Sequence, residues 1–249
     1  MRVLKDVSYS EGIAECLLDA YLPSLDKFPV LVYFHGGGFV EGDKGIDGAR
    51  LAHYLVPRGF GVVSLNYRMY PNAKYPEFIE DCAEGVRWVT DNIGDAATGI
   101  FICGTSAGGY ASLMLCFNDR FLHSAGVCAD KIKGYIHDAG QPTVHFNVLK
   151  ERGVDPRSVV IDEAAPLYYI GQAHEYPPML FIWSDDDIPC RHEQLSLTVS
   201  TIKSFGYDME RVETVLRHGT HVHYVNAPVG AEDFELSSII YPFLEKYAK

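Results

Sequence analysis

Short apolar stretches rich in β-branched residues alternate along the chain with longer segments in which apolar residues recur every three or four positions. The short stretches predict buried strands, and the longer segments predict helices that cover a sheet. This alternation is typical of an α/β protein with a mostly parallel sheet and helices on both faces. The predicted parallel strands cover residues 30–34, 61–65, 100–103, 132–136, 179–183 and 212–216.

The pattern adds two strands at the start of the sheet and a helix at the end of the chain. Residues 3–8 and 14–21 predict an antiparallel entry hairpin, which brings the sheet to eight strands. A helical period is clearest over residues 77–93. The same period returns over residues 236–247, which predicts a closing helix.

Between residues 141 and 178 the pattern weakens, because five prolines interrupt it. We interpret this stretch as a short insertion over the active edge of the sheet, since inserted loops often shape binding sites. The sequence has no internal repeat and no long linker. Residues 1–249 are therefore expected to form a single domain.

Charge and cysteine usage narrow the classes of partner and cofactor. The chain has 21 lysines and arginines against 33 aspartates and glutamates, a net charge of −12. Such a surface repels phosphate backbones and anionic headgroups, so we expect neither a nucleic-acid nor a membrane partner. The six cysteines include no C-x-x-C pair, which predicts free thiols and no zinc site. We expect no metal and no cofactor.

The N-terminal segment predicts a cytoplasmic location. Lys5 and Asp6 interrupt the continuous apolar stretch that a signal peptide needs. No apolar run approaches the roughly 20 residues of a membrane span.

The motif Gly104-Thr105-Ser106-Ala107-Gly108-Gly109 lies between a predicted strand and a predicted helix. It is a G-x-S-x-G sequence in the strand–turn–helix context that a nucleophile elbow requires. Such a turn holds the serine hydroxyl above the sheet, and its glycines let helix and strand approach closely. Ser106 is therefore predicted to be a nucleophile.

A second glycine-rich motif, His35-Gly36-Gly37-Gly38-Phe39, follows another predicted strand. Acyl transfer builds negative charge on a carbonyl oxygen, and backbone N–H groups left free in a glycine turn stabilise that charge. We expect this turn to supply such donors and His35 to order its own loop. His137, just after strand 132–136, is a weaker candidate for lining the site. Four further histidines are predicted to be surface or loop residues: His53, His123, His145 and His174.

The acid and base of such a site follow the nucleophile in chain order, as Ser, Asp, then His. Strand 179–183 precedes three adjacent carboxylates, Asp185, Asp186 and Asp187, and their positions alone leave the acid open. Asp side chains in such a run also cap the helix that follows. Four histidines lie further along the chain: His192, His218, His221 and His223. His192 is too close to the acid, which leaves the last three as candidate bases.

The two glycine motifs, with Tyr67-Arg68-Met69-Tyr70-Pro71 and Tyr75-Pro76-Glu77-Phe78-Ile79-Glu80-Asp81, resemble a known family. The chain is similar to the hormone-sensitive-lipase-like esterases of the α/β-hydrolase superfamily, in the compact branch related to carbohydrate esterases and feruloyl-esterase-like hydrolases. The likeness extends from about Leu18 to about Tyr224 and is weakest in its middle third. It implies the α/β-hydrolase fold.

The resemblance also assigns roles. Ser184-Asp185-Asp186-Asp187 aligns with a Gly-Asp-x-Asp pattern whose second aspartate is the acid, which favours Asp187, with Asp185 next. Gly219-Thr220-His221 matches the Gly-x-His that follows the last strand in relatives, which favours His221 as the base. The backbone amides of Gly37, Gly38 and Ala107 are implied as the oxyanion hole.

Family members with a full cap carry substantial N-terminal helices, whereas only 34 residues precede His35 here. A short or absent cap is therefore expected, with an open cleft for a short acyl group on a larger alcohol. The expected activity is hydrolysis of short-chain carboxylic esters, including acetylated or aryl-acylated sugars, through an acyl-enzyme. The small-molecule ester is the expected partner.

Three alternatives remain at this point. The same triad also fits a formamidase, lactonase or small peptidase, because only the leaving-group pocket differs. A metal-dependent hydrolase could use His218, His221 and His223, although His-x-His without a further ligand pattern is a weak zinc signal. A non-catalytic binding module would use Ser106 only as scaffold.

Overall fold

The computed structural model describes residues 1–173, 175–225 and 235–249, so His174 lies outside the described residues. Eight strands form one sheet in the order β1-β2-β4-β3-β5-β6-β7-β8. The first two pairings, β1 with β2 and β2 with β4, are antiparallel, and every other pairing is parallel. The predicted entry hairpin and eight-stranded sheet are thus confirmed. The bounds are β1 (Arg2–Ser8), β2 (Leu17–Leu22), β3 (Phe28–Phe34), β4 (Gly61–Leu65), β5 (Ala97–Thr105), β6 (Ile132–Asp138), β7 (Met179–Asp186) and β8 (Val212–Thr220).

Helices cover both faces of this sheet. Because side chains alternate across a strand, Val30 and Val32 of β3 join one apolar core, while Leu31 joins the other. The first core is covered mainly by α2, α3 and α6, and the second by α1 and α7. The helix bounds are α1 (Lys44–Leu55), α2 (Glu77–Asn92), α3 (Ala107–Phe117), α4 (Arg120–Ser124), α5 (Phe146–Glu151), α6 (Arg191–Ser204) and α7 (Glu235–Tyr247).

The strands near the site extend further than predicted. Strand β6 ends at Asp138 instead of residue 136, and β7 ends at Asp186 instead of residue 183. Strands β5 and β8 likewise end at Thr105 and Thr220. The hydrophobic pattern stops earlier because the last residues are polar, yet their backbones still pair with the neighbouring strand.

The segment 141–178 contains α5 and a short 3₁₀ turn, Pro166–Tyr169. The hydroxyl of Tyr110, in α3, donates to the carbonyl of Ala164 at 2.5 Å and fixes this segment against the helix that follows Ser106. Of the helices in the described ranges, none has the length and apolar character that a bilayer-spanning segment requires.

Candidate active site

Ser106 lies in the sharp turn between β5 and α3. Its backbone has φ 55° and ψ −108°, a conformation that residues with a Cβ rarely adopt. The turn is held on both sides, because the Ser106 N–H donates to the carbonyl of Asp138 at 2.7 Å and its carbonyl accepts from Tyr110 N–H at 3.0 Å. Such strain persists only where the surroundings over-determine it, and it is common at functional sites.

Glycines around Ser106 allow the close backbone approach. A Cβ at Gly104 would lie 2.0 Å from the carbonyl oxygen of Gly108. A Cβ at Gly108 would lie 2.1 Å from the carbonyl oxygen of Phe34. Both distances are far below van der Waals contact, so any other residue would push α3 away from the sheet.

His221 connects Ser106 to Asp187. Its Nε2 lies 2.8 Å from Oγ of Ser106, and its Nδ1 lies 2.5 Å from Oδ1 of Asp187. Since a carboxylate accepts hydrogen bonds and cannot donate, Nδ1 carries a proton in this pair. In the neutral imidazole, Nε2 is then the acceptor for the Ser106 hydroxyl.

Asp187 is the buried member of this line, with only 1% of its side chain exposed. Burial alone would raise its pKa, but the hydrogen bond from His221, the charges of His221 and Arg191 and the N–H of Ile188 together lower it. The N–H groups of Ile188 and Ser184 donate to its two oxygens at 2.7 Å and 3.3 Å. Asp187 is therefore held as an ionised acceptor.

The competing histidines have other partners. His218 shares a hydrogen bond with Asp185 at 2.6 Å, near the protein surface. His223 Nδ1 lies 2.9 Å from the carbonyl of Thr220. The imidazoles of His218, His221 and His223 thus have three different partners, which are Asp185, Asp187 and the carbonyl of Thr220. Across residues 1–173, 175–225 and 235–249, no three His, Cys, Asp or Glu side chains are grouped as metal ligands.

The glycine turn after β3 presents backbone donors. The carbonyl of Gly37 accepts from the N–H groups of Val40 and Glu41 at 3.0 Å and 3.1 Å. Because C=O and N–H point in opposite directions across a trans peptide, these bonds turn the Gly38 N–H away from the turn. Ala107 is the first residue of α3, where the N–H has no intrahelical acceptor. Among the described residues, no backbone carbonyl accepts from Gly37, Gly38 or Ala107.

Side chains on both sides hold this glycine turn. Nδ2 of Asn147, in α5, donates to the carbonyl of Gly38 at 2.6 Å. His35 stacks on Tyr67 with ring centroids 4.5 Å apart, and the Tyr67 hydroxyl donates to the His35 carbonyl at 2.6 Å. Burial lowers the pKa of His35, so its ring is neutral, and its Nδ1 lies 2.6 Å from the carbonyl of Gly36 in the loop that it is predicted to order.

A cavity of about 800 Å³ opens over Ser106 and His221. Gly37 and Gly38 line it, together with the aromatic ring of Phe146. Its lining also includes the ionisable side chains of Asp47 and Arg50, whose charged groups are 3.7 Å apart. The cavity combines apolar surface with charged and polar groups.

Two further histidines are buried: His137, the weaker candidate for lining the site, and His145, which lies in a loop. His137 is fully buried inside β6, with its Nδ1 2.9 Å from Oγ of Ser112, and burial lowers its pKa to about 3. It is not among the residues that line the cavity within the described part of the chain. His145 precedes α5 and is also buried, where its ring accepts from the N–H of Asn147 at 3.3 Å.

Sequence reasoning missed a group of polar residues behind the site. Asp138, Tyr224 and Arg191 are each at least nine-tenths buried, and none belongs to a recognisable motif. Arg191 donates to the carbonyl of Ala139, and burial lowers its pKa to about 10. A charged residue at the end of a mostly apolar strand, as at Asp138, is the one signal that could have identified a member of this group.

The sheet order, the sharp turn at Ser106 after β5, and the order of Ser106, Asp187 and His221 along the chain are those of the α/β-hydrolase fold. The chain belongs to the BD-FAE family, whose profile matches residues 18–149, just over half of the chain.

Two solved esterases share this fold. Esterase 2 of Thermogutta terrifontis superimposes with a TM-score of 0.77 at 19% identity, covering 98% of this chain and 94% of that one. The hyperthermophilic esterase of Pyrobaculum calidifontis gives a TM-score of 0.74 at 24% identity, covering 98% and 85%. The predicted fold and the predicted resemblance to hormone-sensitive-lipase-like esterases are confirmed.

The curated relatives are longer proteins. Esterase LipC of Mycobacterium tuberculosis is 27% identical over 229 residues, which are 84% of this chain and 53% of LipC. The chain thus spans about half the length of LipC, and it matches 28% of esterase LipI and 34% of carboxylesterase NlhH, both also of Mycobacterium tuberculosis.

Proposed function

We propose that this protein is a serine hydrolase that cleaves carboxylic esters through an acyl-enzyme. The observation that carries the proposal is the hydrogen-bonded line from Ser106 through His221 to Asp187, with distances of 2.8 Å and 2.5 Å. Its relatives named as esterases support the same class of reaction.

In the first half-reaction, Oγ of Ser106 attacks the ester carbonyl carbon while its proton passes to Nε2 of His221. Asp187 stays ionised, fixes the tautomer of His221 and stabilises the imidazolium that forms. The imidazolium gives its proton to the oxygen of the departing alcohol, and the acyl group remains on Ser106. Water then attacks the acyl carbon by the same route and releases the carboxylic acid.

The negative charge that develops on the carbonyl oxygen is assigned to the amides of Gly37, Gly38 and Ala107. Their orientation is set before the substrate arrives, so little reorganisation is needed in the transition state. The Ala107 amide also lies at the N-terminus of α3, where the helix dipole favours negative charge.

For the substrate we propose a short acyl group on a larger alcohol, with acetylated or aryl-acylated sugars as the first class to examine. A cavity of about 800 Å³ has the size of a small-molecule site. Asp47 and Arg50 offer partners for hydroxyl groups, and Phe146 offers a ring face. We take residues 1–249 as one domain, in which the insertion 141–178 contributes Phe146 and Asn147 to the cavity.

The nucleophile is tested with Ser106→Ala, and Ser200→Ala on the exposed side of α6 is the matched control. The first variant should lose at least roughly a thousandfold in kcat on p-nitrophenyl acetate and all labelling by a fluorophosphonate probe. The control should keep both. A folded Ser106→Ala variant with wild-type turnover would overturn the proposal.

The substrate class is tested with an acyl-chain series on p-nitrophenol, followed by acetylated and feruloylated sugars. Rates should be highest for acetyl and fall as the chain lengthens. Faster cleavage of a formamide, a lactone or a peptide would keep the residues in their roles and change the bond.

A further inference from the structure

Asp138 lies at the carboxyl end of β6, directly behind the nucleophile, and it is fully buried. Its backbone carbonyl accepts from the N–H of Ser106 at 2.7 Å. Its carboxylate accepts two further hydrogen bonds, one at each oxygen. The Thr105 hydroxyl donates to Oδ2 at 2.7 Å, and the Tyr224 hydroxyl donates to Oδ1.

These two hydroxyl donors lie in the two segments that carry Ser106 and His221. Thr105 immediately precedes the nucleophile in β5, whereas Tyr224 is three residues beyond His221 in the turn after β8. Strands β5 and β8 are not neighbours, because β6 and β7 lie between them in the sheet. The Asp138 carboxylate therefore connects the nucleophile strand directly to the segment that carries His221.

The turn that carries His221 is strained. Val222 has φ 46°, a left-handed conformation that a β-branched residue rarely adopts. Local hydrogen bonds in this turn run from His223 N–H to the Thr220 carbonyl and from Val225 N–H to the Val222 carbonyl. Tyr224 is the deeply buried side chain of the turn, with 1% of its surface exposed. Its bond to Asp138 fixes a conformation that the backbone of Val222 disfavours.

A carboxylate in a buried position is costly unless its oxygens accept hydrogen bonds. The pKa of Asp138 is raised to about 7: burial and the charges of Asp187 and Asp47 raise it, whereas the two hydroxyl donors lower it. An apolar residue would avoid that cost, but it could not accept from both Thr105 and Tyr224.

We propose that Asp138 is a positioning residue: by accepting from Thr105 and Tyr224 together, it holds Nε2 of His221 within hydrogen-bond distance of Ser106 Oγ. The proposal rests on the function proposed above. It assigns Tyr224 and Thr105 to the same task. None of the three residues touches the reacting atoms.

The first test removes one hydroxyl. Tyr224→Phe should lower kcat on p-nitrophenyl acetate at least roughly tenfold, because small displacements of a catalytic group have large effects on rate. KM should stay within about twofold, since the cavity lining is unchanged. The rate of fluorophosphonate labelling at Ser106 should fall by the same factor as kcat, because labelling uses the same Ser106–His221 pair.

Tyr135→Phe is the matched control. Tyr135 is buried in the same strand as Asp138, and its hydroxyl donates to the carbonyl of Leu115 at 3.3 Å, away from the site. This variant should keep kcat, KM and labelling rate within about twofold of wild type. An equal loss of activity in Tyr135→Phe and Tyr224→Phe would show a general packing effect and overturn the proposal.

Three further variants complete the test: Asp138→Asn, Thr105→Ser and Thr105→Val. The carboxamide Nδ2 of Asp138→Asn cannot accept a hydrogen bond, so this variant should lose kcat in the same way as Tyr224→Phe, and the double variant should lose little more. Thr105→Ser keeps the hydroxyl and should retain activity that Thr105→Val loses. If Asp138→Asn does not fold, the Tyr224 and Thr105 variants still decide the question.

The outcomes separate this proposal from the function it rests on. If the wild type hydrolyses the ester and is labelled at Ser106, but folded Tyr224→Phe and Asp138→Asn match it in kcat, only the positioning role fails. If the wild type neither hydrolyses esters nor is labelled, the proposed function fails, and the positioning role fails with it.

Discussion

Asp185 and His218 form a second carboxylate–imidazole pair, 2.6 Å apart, next to the pair formed by Asp187 and His221. The two pairs differ in burial. The side chains of His218 and Asp185 are 88% and 42% exposed, against 21% and 1% for His221 and Asp187. Exposed pairs contribute little because solvent screens them, whereas a buried pair fixes its geometry.

Exchange of each aspartate for asparagine should therefore have very different effects. Asp187→Asn should lower kcat on p-nitrophenyl acetate by roughly a thousandfold or more, because the amide no longer selects the productive tautomer of His221. Asp185→Asn should change kcat less than about fivefold, because the pair that it breaks is exposed to solvent. Steady-state kinetics on the two purified variants checks this, and comparable losses would contradict the assignment of the acid.

The glycine turn gives a second prediction. A Cβ at Gly37, where φ is 109°, would lie 1.9 Å from the carbonyl oxygen of Glu41 and would force the turn open. Gly37→Ala should lower kcat roughly a hundredfold through misplaced oxyanion donors. Gly12→Ala is the control, because Gly12 also has positive φ (80°) but no atom within 4 Å of its added Cβ. If Gly37→Ala kept the wild-type kcat, the assignment of this turn to the oxyanion hole would be wrong.

Local sequence patterns were sufficient to predict the sheet and the sharp turn that holds Ser106. The strands before Gly36 and Gly104 are continuous apolar runs, and a glycine-rich turn after such a run has few alternative structures. The acid could be ranked only by resemblance, because Asp185, Asp186 and Asp187 are adjacent and equivalent in pattern. Three-dimensional contacts were needed to see that Asp187 and His221 are partners.

A different reason explains why the buried polar residues behind the site were not predicted. Asp138 and Tyr224 are 86 positions apart, and neither position has a spacing or motif that identifies its partner. His137, beside Asp138, was only a weaker candidate for lining the site, because it follows a predicted strand. Alternation along β6 directs its ring into the apolar core, next to Phe181.

The raised pKa of Asp138 predicts how stability depends on pH. The folded-state pKa is about 7, against 3.8 for the ordinary carboxyl. This group therefore contributes stability that is present below pH 3.8 and is lost as pH rises through about 7. Asp138→Asn lacks this titration, so its free energy of unfolding relative to wild type should rise by on the order of 4 kcal/mol between low and high pH.

Urea denaturation at about pH 5 and pH 8.5 measures most of this difference. The free energy of unfolding of Asp138→Asn, relative to that of the wild type, should be higher at pH 8.5 than at pH 5 by at least about 1 kcal/mol. A stability difference that is the same at both pH values would mean that Asp138 titrates normally.

Backbone strain at Ser106 gives a prediction that is independent of activity. Its φ of 55° costs on the order of 1–3 kcal/mol for a residue with a Cβ. Ser106→Gly should therefore have a higher free energy of unfolding than Ser106→Ala, by about 1 kcal/mol once the greater freedom of unfolded glycine is subtracted. Equal urea midpoints for the two variants would show that the turn is relaxed.

Among the described residues, β8 is one of the two edge strands of the sheet, and the segment that follows it carries His221. Ser106, by contrast, follows β5, which has a paired strand on each side. Outer strands open locally at a lower free energy than central ones. Mild denaturant should thus separate His221 from Ser106 while the rest of the sheet stays folded. Activity should disappear, and return on dilution, at urea concentrations where the circular dichroism of the protein is still that of the native state.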